Sequence, residues 1–289
     1  MDPRLCLIDG HELSFRAFFG VDSQPIDERA FLGQVAQRFA NRLKTIHEAL
    51  VPSHGAILFD AKLGDNERTG LDASYKANRR KTPALFPATF RLGQEICDIQ
   101  GLWRGRVDGF EADDLIATLV SEFRDCFESV VIVGSDKDLH QLLGGSVTQW
   151  TLQEGFVDVL HVQEKFGVSI EQLVEYFALV GDRIDNIPGI NGIGPKTARV
   201  LLQSYGRIDR VPRYPVEARG LTETQERSAG RILSENRTAI DLYKSLVTLR
   251  SDVPLDIDVK SLAWSSFVED GLGPFFERHD LPYDAEFAG

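Results

Sequence analysis

A short apolar run that ends in aspartate recurs along this 289-residue chain and constrains its fold more than any other feature. Residues 5–8 (Leu-Cys-Leu-Ile) lead to Asp9, and residues 56–59 (Ala-Ile-Leu-Phe) lead to Asp60. Residues 130–134 (Val-Val-Ile-Val-Gly) lead to Asp136 and Asp138. Continuous runs of this kind, separated by helical stretches, predict buried strands of a parallel sheet. In an open α/β sheet the ligand crevice lies at the carboxyl ends of the strands, so the pattern delivers carboxylates to one edge. Glu111, Asp113 and Asp114 lie between the second and third runs, and Asp182 and Asp185 follow further on. So many anions share a crevice only around cations. The expectation is an α/β fold, a central mainly parallel sheet flanked by helices, with a metal site at its edge.

A single aspartate at a strand end is usually a turn or cap residue, and only the set points to a metal. Asp136 and Asp138 leave a buried strand two residues apart and can point to one side. Glu111 and Asp114 are i,i+3 neighbours on a helix, as are Asp182 and Asp185, whereas Asp113 is expected to face elsewhere. The six histidines are scattered without ligand spacing. Carboxylate ligands alone select hard ions, Mg²⁺ or Mn²⁺, over zinc. Two such ions are the usual apparatus for in-line phosphodiester cleavage, one activating water and the other stabilising the leaving oxygen.

The net charge of −12 speaks against a nucleic-acid ligand only until its distribution is considered. Without the nine site acids, 35 acids face 32 bases. Residues 74–91 hold five bases and no acid, and residues 186–208 hold three and no acid. Segregation of this kind suits a metal site beside a phosphate ligand. No apolar run is long enough to span a bilayer, and the N-terminus runs straight into a strand, leaving no room for a signal peptide. Cys6, Cys97 and Cys126 lack a Cys-x-x-Cys pair and read as buried, reduced thiols of a cytoplasmic protein.

Helical periodicity covers about 12–19, 29–50, 88–100 and 111–123, and a short helix is expected at 138–143. Segments 146–152 and 156–160 read as a strand pair. The polar, basic segment 62–86 has little periodicity and is expected to be exposed and mobile. Ser169 and Gln172 form a capping-box signal for a helix to about 180. Pro195 opens the next helix, which ends near Tyr205 with Gly206 just beyond. Residues 207–289 read as helical to about 250 and irregular after that.

Two basic motifs complete the reading. Gly189, Gly192 and Gly194 precede a helix start with Lys196, Thr197 and Arg199. Glycines permit close approach of backbone to phosphate, and a helix start offers amides, so this is a sequence-independent phosphate clamp. Gly-rich helix–turn–helix connections without a ligand are common, and the Gly-Lys-Ser/Thr of a P-loop is missing. In Tyr75-Lys-Ala-Asn-Arg-Arg-Lys81, just downstream of the Asp60 strand, Tyr75 is placed to stack on an unpaired base. Lys76 or Arg79 is placed to meet the scissile phosphate, with Arg80 and Lys81 as further backbone contacts. A solvated charge run is the ordinary alternative.

These motifs together carry a resemblance. Asp9-Gly-His, Phe59-Asp-Ala-Lys, Tyr75-Lys-x-x-Arg, Glu111-Ala-Asp-Asp and Ser135-Asp-Lys-Asp-Leu match, in order and spacing, the flap endonuclease family. Gly181-Asp-x-x-Asp-Asn-x-Pro-Gly and Gly192-Ile-Gly-x-Lys-Thr-Ala do so too. The chain resembles that family's branch formed by the 5′-nuclease domain of bacterial DNA polymerase I. The resemblance implies a nuclease core at 1–168 that includes a basic arch at 62–92. It also implies a helical DNA-binding region at 169–289, with a helix–hairpin–helix element at about 171–205. It implies metal-dependent cleavage of 5′ flaps and 5′ duplex ends, extending to removal of RNA primers from RNA/DNA hybrids, by a monomer. One ion is expected among Asp9, Asp60, Glu111, Asp113, Asp114 and Asp136, the other among Asp136, Asp138, Asp182 and Asp185. A K⁺ ion at the hairpin is a further implication. Asn191 stands where the family's hairpin can carry a base. The competing readings are a non-catalytic module for branched DNA and a PIN-like ribonuclease, whose minimal carboxylate pattern does not require the 189–196 clamp.

Overall fold

The computed structural model describes residues 3–21, 27–61, 66–79, 81–213 and 220–284. In chain order the elements are β1 (Arg4–Asp9), α1 (Gly10–Phe19), α2 (Glu28–Leu50), β2 (His54–Leu58), α3 (Glu67–Leu71), α4 (Phe86–Ile99), β3 (Trp103–Gly105) and α5 (Ala112–Phe123). There follow β4 (Ser129–Val133), β5 (Val147–Thr151), β6 (Gly155–Val157), α6 (Val159–Phe166), α7 (Leu173–Val180), α8 (Pro195–Tyr205), α9 (Glu223–Glu235), α10 (Arg237–Val247) and α11 (Leu272–Arg278).

The six strands are ordered β3-β2-β1-β4-β5-β6 and are parallel except for the β5–β6 pair. The chain builds outward from β1 through β2 to β3 and then crosses to β4 on the other side of β1. That reversal opens a crevice at the carboxyl ends of β1 and β4. Register places Asp9 opposite Leu58, and Ile8 opposite Val133, so Asp9, Asp60 and Asp136 leave three adjacent strands at the same edge.

Period-2 alternation assigns the strand residues to two cores. Leu5, Leu7, Ala56, Leu58, Val130 and Ile132 face α5 and the helices beyond it. Cys6, Ile8, Ile57, Phe59, Val131 and Val133 face α1, α2, α4 and α11. The sequence places 169–289 in one region, but packing returns its last part to the second core. Trp264, 2% exposed, lies over Gly55 beneath β2, and Phe275 and Phe276 of α11 join Ile96 of α4. The three-residue strand β3 is too short for a periodicity reading. Cys6 and Cys97 are buried free thiols, whereas Cys126 is exposed on the surface turn after α5. Among the described residues no helix is long and apolar enough to cross a membrane.

Candidate metal and nucleic-acid site

The strand-end acids are oriented by backbone amides. Asp9 Oδ1 accepts from Glu12 N at 2.8 Å and caps α1, and Asp60 Oδ1 accepts from Ala112 N at 2.8 Å at the start of α5. Asp136 Oδ1 accepts from Asp138 N at 2.9 Å. Each carboxylate is thus fixed through one oxygen. For Asp9 and Asp136, no hydrogen bond among the described residues engages the other.

Asp113, the acid expected to face elsewhere, lies in the crevice. Its Oδ1 is shut off from solvent and has no hydrogen-bond partner among the described residues. Burial, then Asp136 and Asp9, push its carboxyl well above the usual carboxylate range. Burial, then Asp60 and Asp136, do the same to Asp9. An unpartnered buried carboxylate oxygen costs on the order of 1–3 kcal/mol or more. An orphaned acid among acids is what a divalent cation would satisfy, and an all-oxygen donor set fits a hard one.

Asp114 is corrected in the opposite direction. Both its oxygens are held by Arg68, at 2.7 Å each, Arg250 N at 2.9 Å and Glu111 N at 3.3 Å add a second donor to each, and it is 1% exposed, so all four acceptor positions are filled and none is left for a metal. Arg68 is a residue that sequence reasoning missed. Its guanidinium also reaches Glu111 Oε2 at 3.2 Å, Leu246 O at 2.9 Å and Thr248 O at 2.9 Å, which occupies all five N–H groups. It thereby ties α3 to the start of α5 and the end of α10. The i,i+3 spacing of Glu111 and Asp114 does bring them to one side, where they share an arginine. Segment 62–86 is correspondingly not all exposed: residues 66–79 pack through Arg68 and Tyr75, and 62–65 lie outside the described residues.

Tyr75 differs from expectation as well. It is 4% exposed, and its hydroxyl donates to Glu111 Oε2 at 3.0 Å and approaches Asp185 Oδ2 at 3.3 Å. In this position its ring supports the acids and offers no face to a base. Lys76 Nζ bonds Glu111 and lies 3.7 Å from Asp185 Oδ2, while Arg79 Nη2 reaches Asp185 Oδ1 at 3.0 Å. Burial pushes the Glu111 carboxyl up, but Lys76 and Arg68 outweigh it and hold it below its ordinary value. Lys81 is exposed, and Arg80 lies outside the described residues.

The loop carrying Asp182 and Asp185 is built to hold them. Asp182 and Ile187 exchange two backbone hydrogen bonds at 2.7 Å, and Asp182 Oδ1 accepts from Ile184 N at 2.8 Å. This loop is stitched to the Lys76 turn: Lys76 N donates to Asp185 O at 3.0 Å and Asn186 Nδ2 to Ser74 O at 2.7 Å. Asn78 Nδ2 adds a bond to Arg183 O at 2.7 Å. Asp138, Asp182 and Asp185 bring carboxylate oxygens within 4.8 Å of one another. Burial, then Asp136, raises the Asp138 carboxyl to about 7. His11, also left out by sequence reasoning, stands 3.7 Å from Asp60 Oδ2. No ligand spacing could have revealed His11 or Arg68.

At the proposed clamp, only part of the glycine reading survives. A side chain at Gly189 would meet Gly181 N at 2.5 Å, so this glycine serves close chain–chain packing and not a ligand. Gly192, Gly194 and Lys196 are exposed, Gly194 faces open space, and Thr197 and Arg199 are half-buried in α8. Pro195 opens α8 and Gly206 closes it, as the sequence implies.

Residues 4–167 match the family described as 5′-3′ exonuclease, N-terminal resolvase-like domain, and residues 168–270 match 5′-3′ exonuclease, C-terminal SAM fold. The chain belongs to the 5′-3′ exonuclease family. The thermostable DNA polymerase I of Thermus filiformis is 33% identical over 280 residues, 95% of this chain and 32% of the relative. DNA polymerase I of Rhizobium leguminosarum is 34% identical over 266 residues, 89% of this chain and 26% of the relative. The chain therefore spans a third or less of the length of these relatives. Among solved structures, zinc-bound T5 5′-exonuclease superimposes with a TM-score of 0.66 at 20% identity, covering 99% of this chain and 100% of that one. The catalytic core of Rad2 with DNA substrate gives 0.65 at 14%, covering 99% of this chain and 90% of that one. These likenesses establish the shared fold: a resolvase-like sheet domain followed by a helical SAM-like domain.

Proposed function

We propose that the chain is a divalent-metal-dependent 5′ nuclease that hydrolyses phosphodiester bonds at 5′ flaps and 5′ ends of duplex DNA. The observation that carries this reading is the orphaned Asp113 oxygen among Asp9 and Asp136, in a site where Lys76 and Arg79 are held on Glu111 and Asp185. Asp9, Asp60, Glu111, Asp113 and Asp136 would hold one ion, and Asp136, Asp138, Asp182 and Asp185 a second. Divalent ions supply Lewis-acid chemistry there: they acidify water and offset charge on the phosphodiester. Mg²⁺ and Mn²⁺ both suit the oxygen donors.

The chain's own residues supply the rest. Lys76 and Arg79 would exchange carboxylate partners for the non-bridging oxygens of the scissile phosphate, stabilising charge that grows in the transition state. Tyr75 and Arg68 hold Glu111 in place while they do so. The exposed Gly192–Lys196 hairpin and the amides opening α8 would grip the duplex backbone without reading its sequence, with Arg199 alongside. A K⁺ ion among the hairpin carbonyls, action on the RNA strand of a hybrid, a monomeric state and a cytoplasmic location belong to the same reading.

The test uses 5′-labelled flap, nicked and blunt duplexes, each with a DNA or RNA 5′ strand, incubated with Mg²⁺ or EDTA and sized. Mg²⁺-dependent products at the flap junction or the 5′ end are expected. Binding without cleavage in Mg²⁺ and Mn²⁺ would leave a branched-DNA binding module. Cleavage confined to single-stranded RNA would leave a PIN-like ribonuclease.

A further inference from the structure

Lys137 is a cation that the reading above does not use. It opens the 3₁₀ turn Lys137–Leu142 between Asp136 and Asp138. Its ammonium bonds Asp182, lies 3.6 Å from Asp138 Oδ1, and sits 5.2 Å from the centroid of the Phe177 ring on α7. Two of the three acids that converge within 4.8 Å are therefore already bridged by an internal positive charge. The side chain is 25% exposed, so it has an open route to solvent. Asp9, Asp113 and Asp136 have no such guest: no Lys or Arg among the described residues forms an ion pair with them.

We propose that Lys137 is an internal competitor for a divalent ion at Asp138, Asp182 and Asp185. The inference rests on the reading that these acids hold metal. A hard divalent ion needs the anionic oxygens themselves, and Asp182 Oδ2 cannot serve both an ammonium and an ion at full strength. Binding there requires Lys137 to leave Asp182 and give up its place over Phe177. The consequence is a division of labour. The Asp9/Asp113/Asp136 half is the tighter site, and the Asp138/Asp182/Asp185 half is a weaker one that fills in proportion to free divalent ion. Lys137, alongside Arg79 on Asp185, thus raises the metal concentration at which the second half is occupied.

Mn²⁺ titrations followed by the electron paramagnetic resonance signal of the free ion test this directly. Wild type is expected to show one tighter and one weaker ion. Lys137→Met, which keeps length and apolar contact with Phe177, should tighten the weaker ion by roughly tenfold, the scale of one charge-assisted hydrogen bond. It should leave the tighter ion within about twofold, and Lys137→Arg should return the weaker affinity toward wild type. Lys137→Gln provides a second neutral variant, with thermal melts verifying the fold of each. Unchanged or weakened binding of the second ion in both neutral variants overturns the competitor role while leaving the metal reading intact. Absence of Mn²⁺ binding to wild type overturns both.

Discussion

On the side of the crevice lined by residues 66–79, Glu111, Asp114 and Asp185 each have a basic partner, whereas on the sheet side Asp9, Asp113 and Asp136 face one another. Arg68 holds Asp114 and Glu111, Lys76 adds to Glu111, and Arg79 holds Asp185. Among the described residues Asp9, Asp113 and Asp136 have backbone amides at most, and Asp113 Oδ1 has no partner. The neighbours Asp113 and Asp114 fall on opposite sides of this divide. The difference teaches that a cluster of like charges can combine two kinds of site. The paired half keeps its shape without a ligand, and the unpaired half holds charge in reserve for one.

The comparison can be broken or sharpened by substitution. Asp136→Ala removes an acid shared by both proposed ions, and cleavage of a flap substrate should fall by roughly a thousandfold or more. Its metal-free stability should hold or rise, because a repulsive charge is lost. Retained cleavage would break the assignment of the sheet side. Arg68→Leu should do the reverse, acting on stability first. It leaves Asp114 buried and uncompensated, a cost of about 3–5 kcal/mol in urea unfolding. Adding Asp114→Leu should recover most of that loss if the pair is what matters.

Smaller effects are expected at the rim. Lys76→Ala should slow single-turnover cleavage by about a hundredfold while changing flap affinity little, since its proposed partner is charge that grows in the transition state. Equal losses in affinity and rate would instead make it a binding residue. Lys196→Ala should weaken duplex binding severalfold for every sequence and lower the salt slope by about one. No change in that slope would remove Lys196 from the backbone grip.

Much of this was legible in the sequence because strand ends and period-2 runs are local signals. The positions of Asp9, Asp60 and Asp136 follow from them directly, as does α8 from Pro195 and Gly206. The division between paired and unpaired acids was not legible. It depends on Arg68, whose contacts reach from Glu111 to Thr248 and are fixed only when α3, α5 and α10 pack together. Tyr75 and Gly189 depart from the sequence expectation for a related reason. An aromatic in a basic stretch and a glycine in a loop look like ligand contacts until tertiary packing shows what already fills the space around them.

The central claim, that the unpaired acids await a divalent ion, is tested most directly by thermal melts with and without Mg²⁺ between pH 7 and 8. Asp9 and Asp113 are held well above, and Asp138 near 7, against about 4 in an unfolded chain. Asp138 sets the window, because it still releases its proton around pH 7 in the fold, and the upward shifts of Asp9 and Asp113 act in the same direction, so these groups make metal-free stability fall as pH rises. His11, His47 and His140 titrate below this window in the fold and are largely neutral in the unfolded chain as well, so they contribute little slope there. Divalent ions bind the deprotonated carboxylates, which makes their stabilisation grow with pH. The account predicts a melting temperature that falls from pH 7 to 8 in EDTA, a Mg²⁺ increment that grows over the same range, and a smaller increment in Asp113→Asn. A Mg²⁺ increment that is absent, or that shrinks as pH rises, would contradict it.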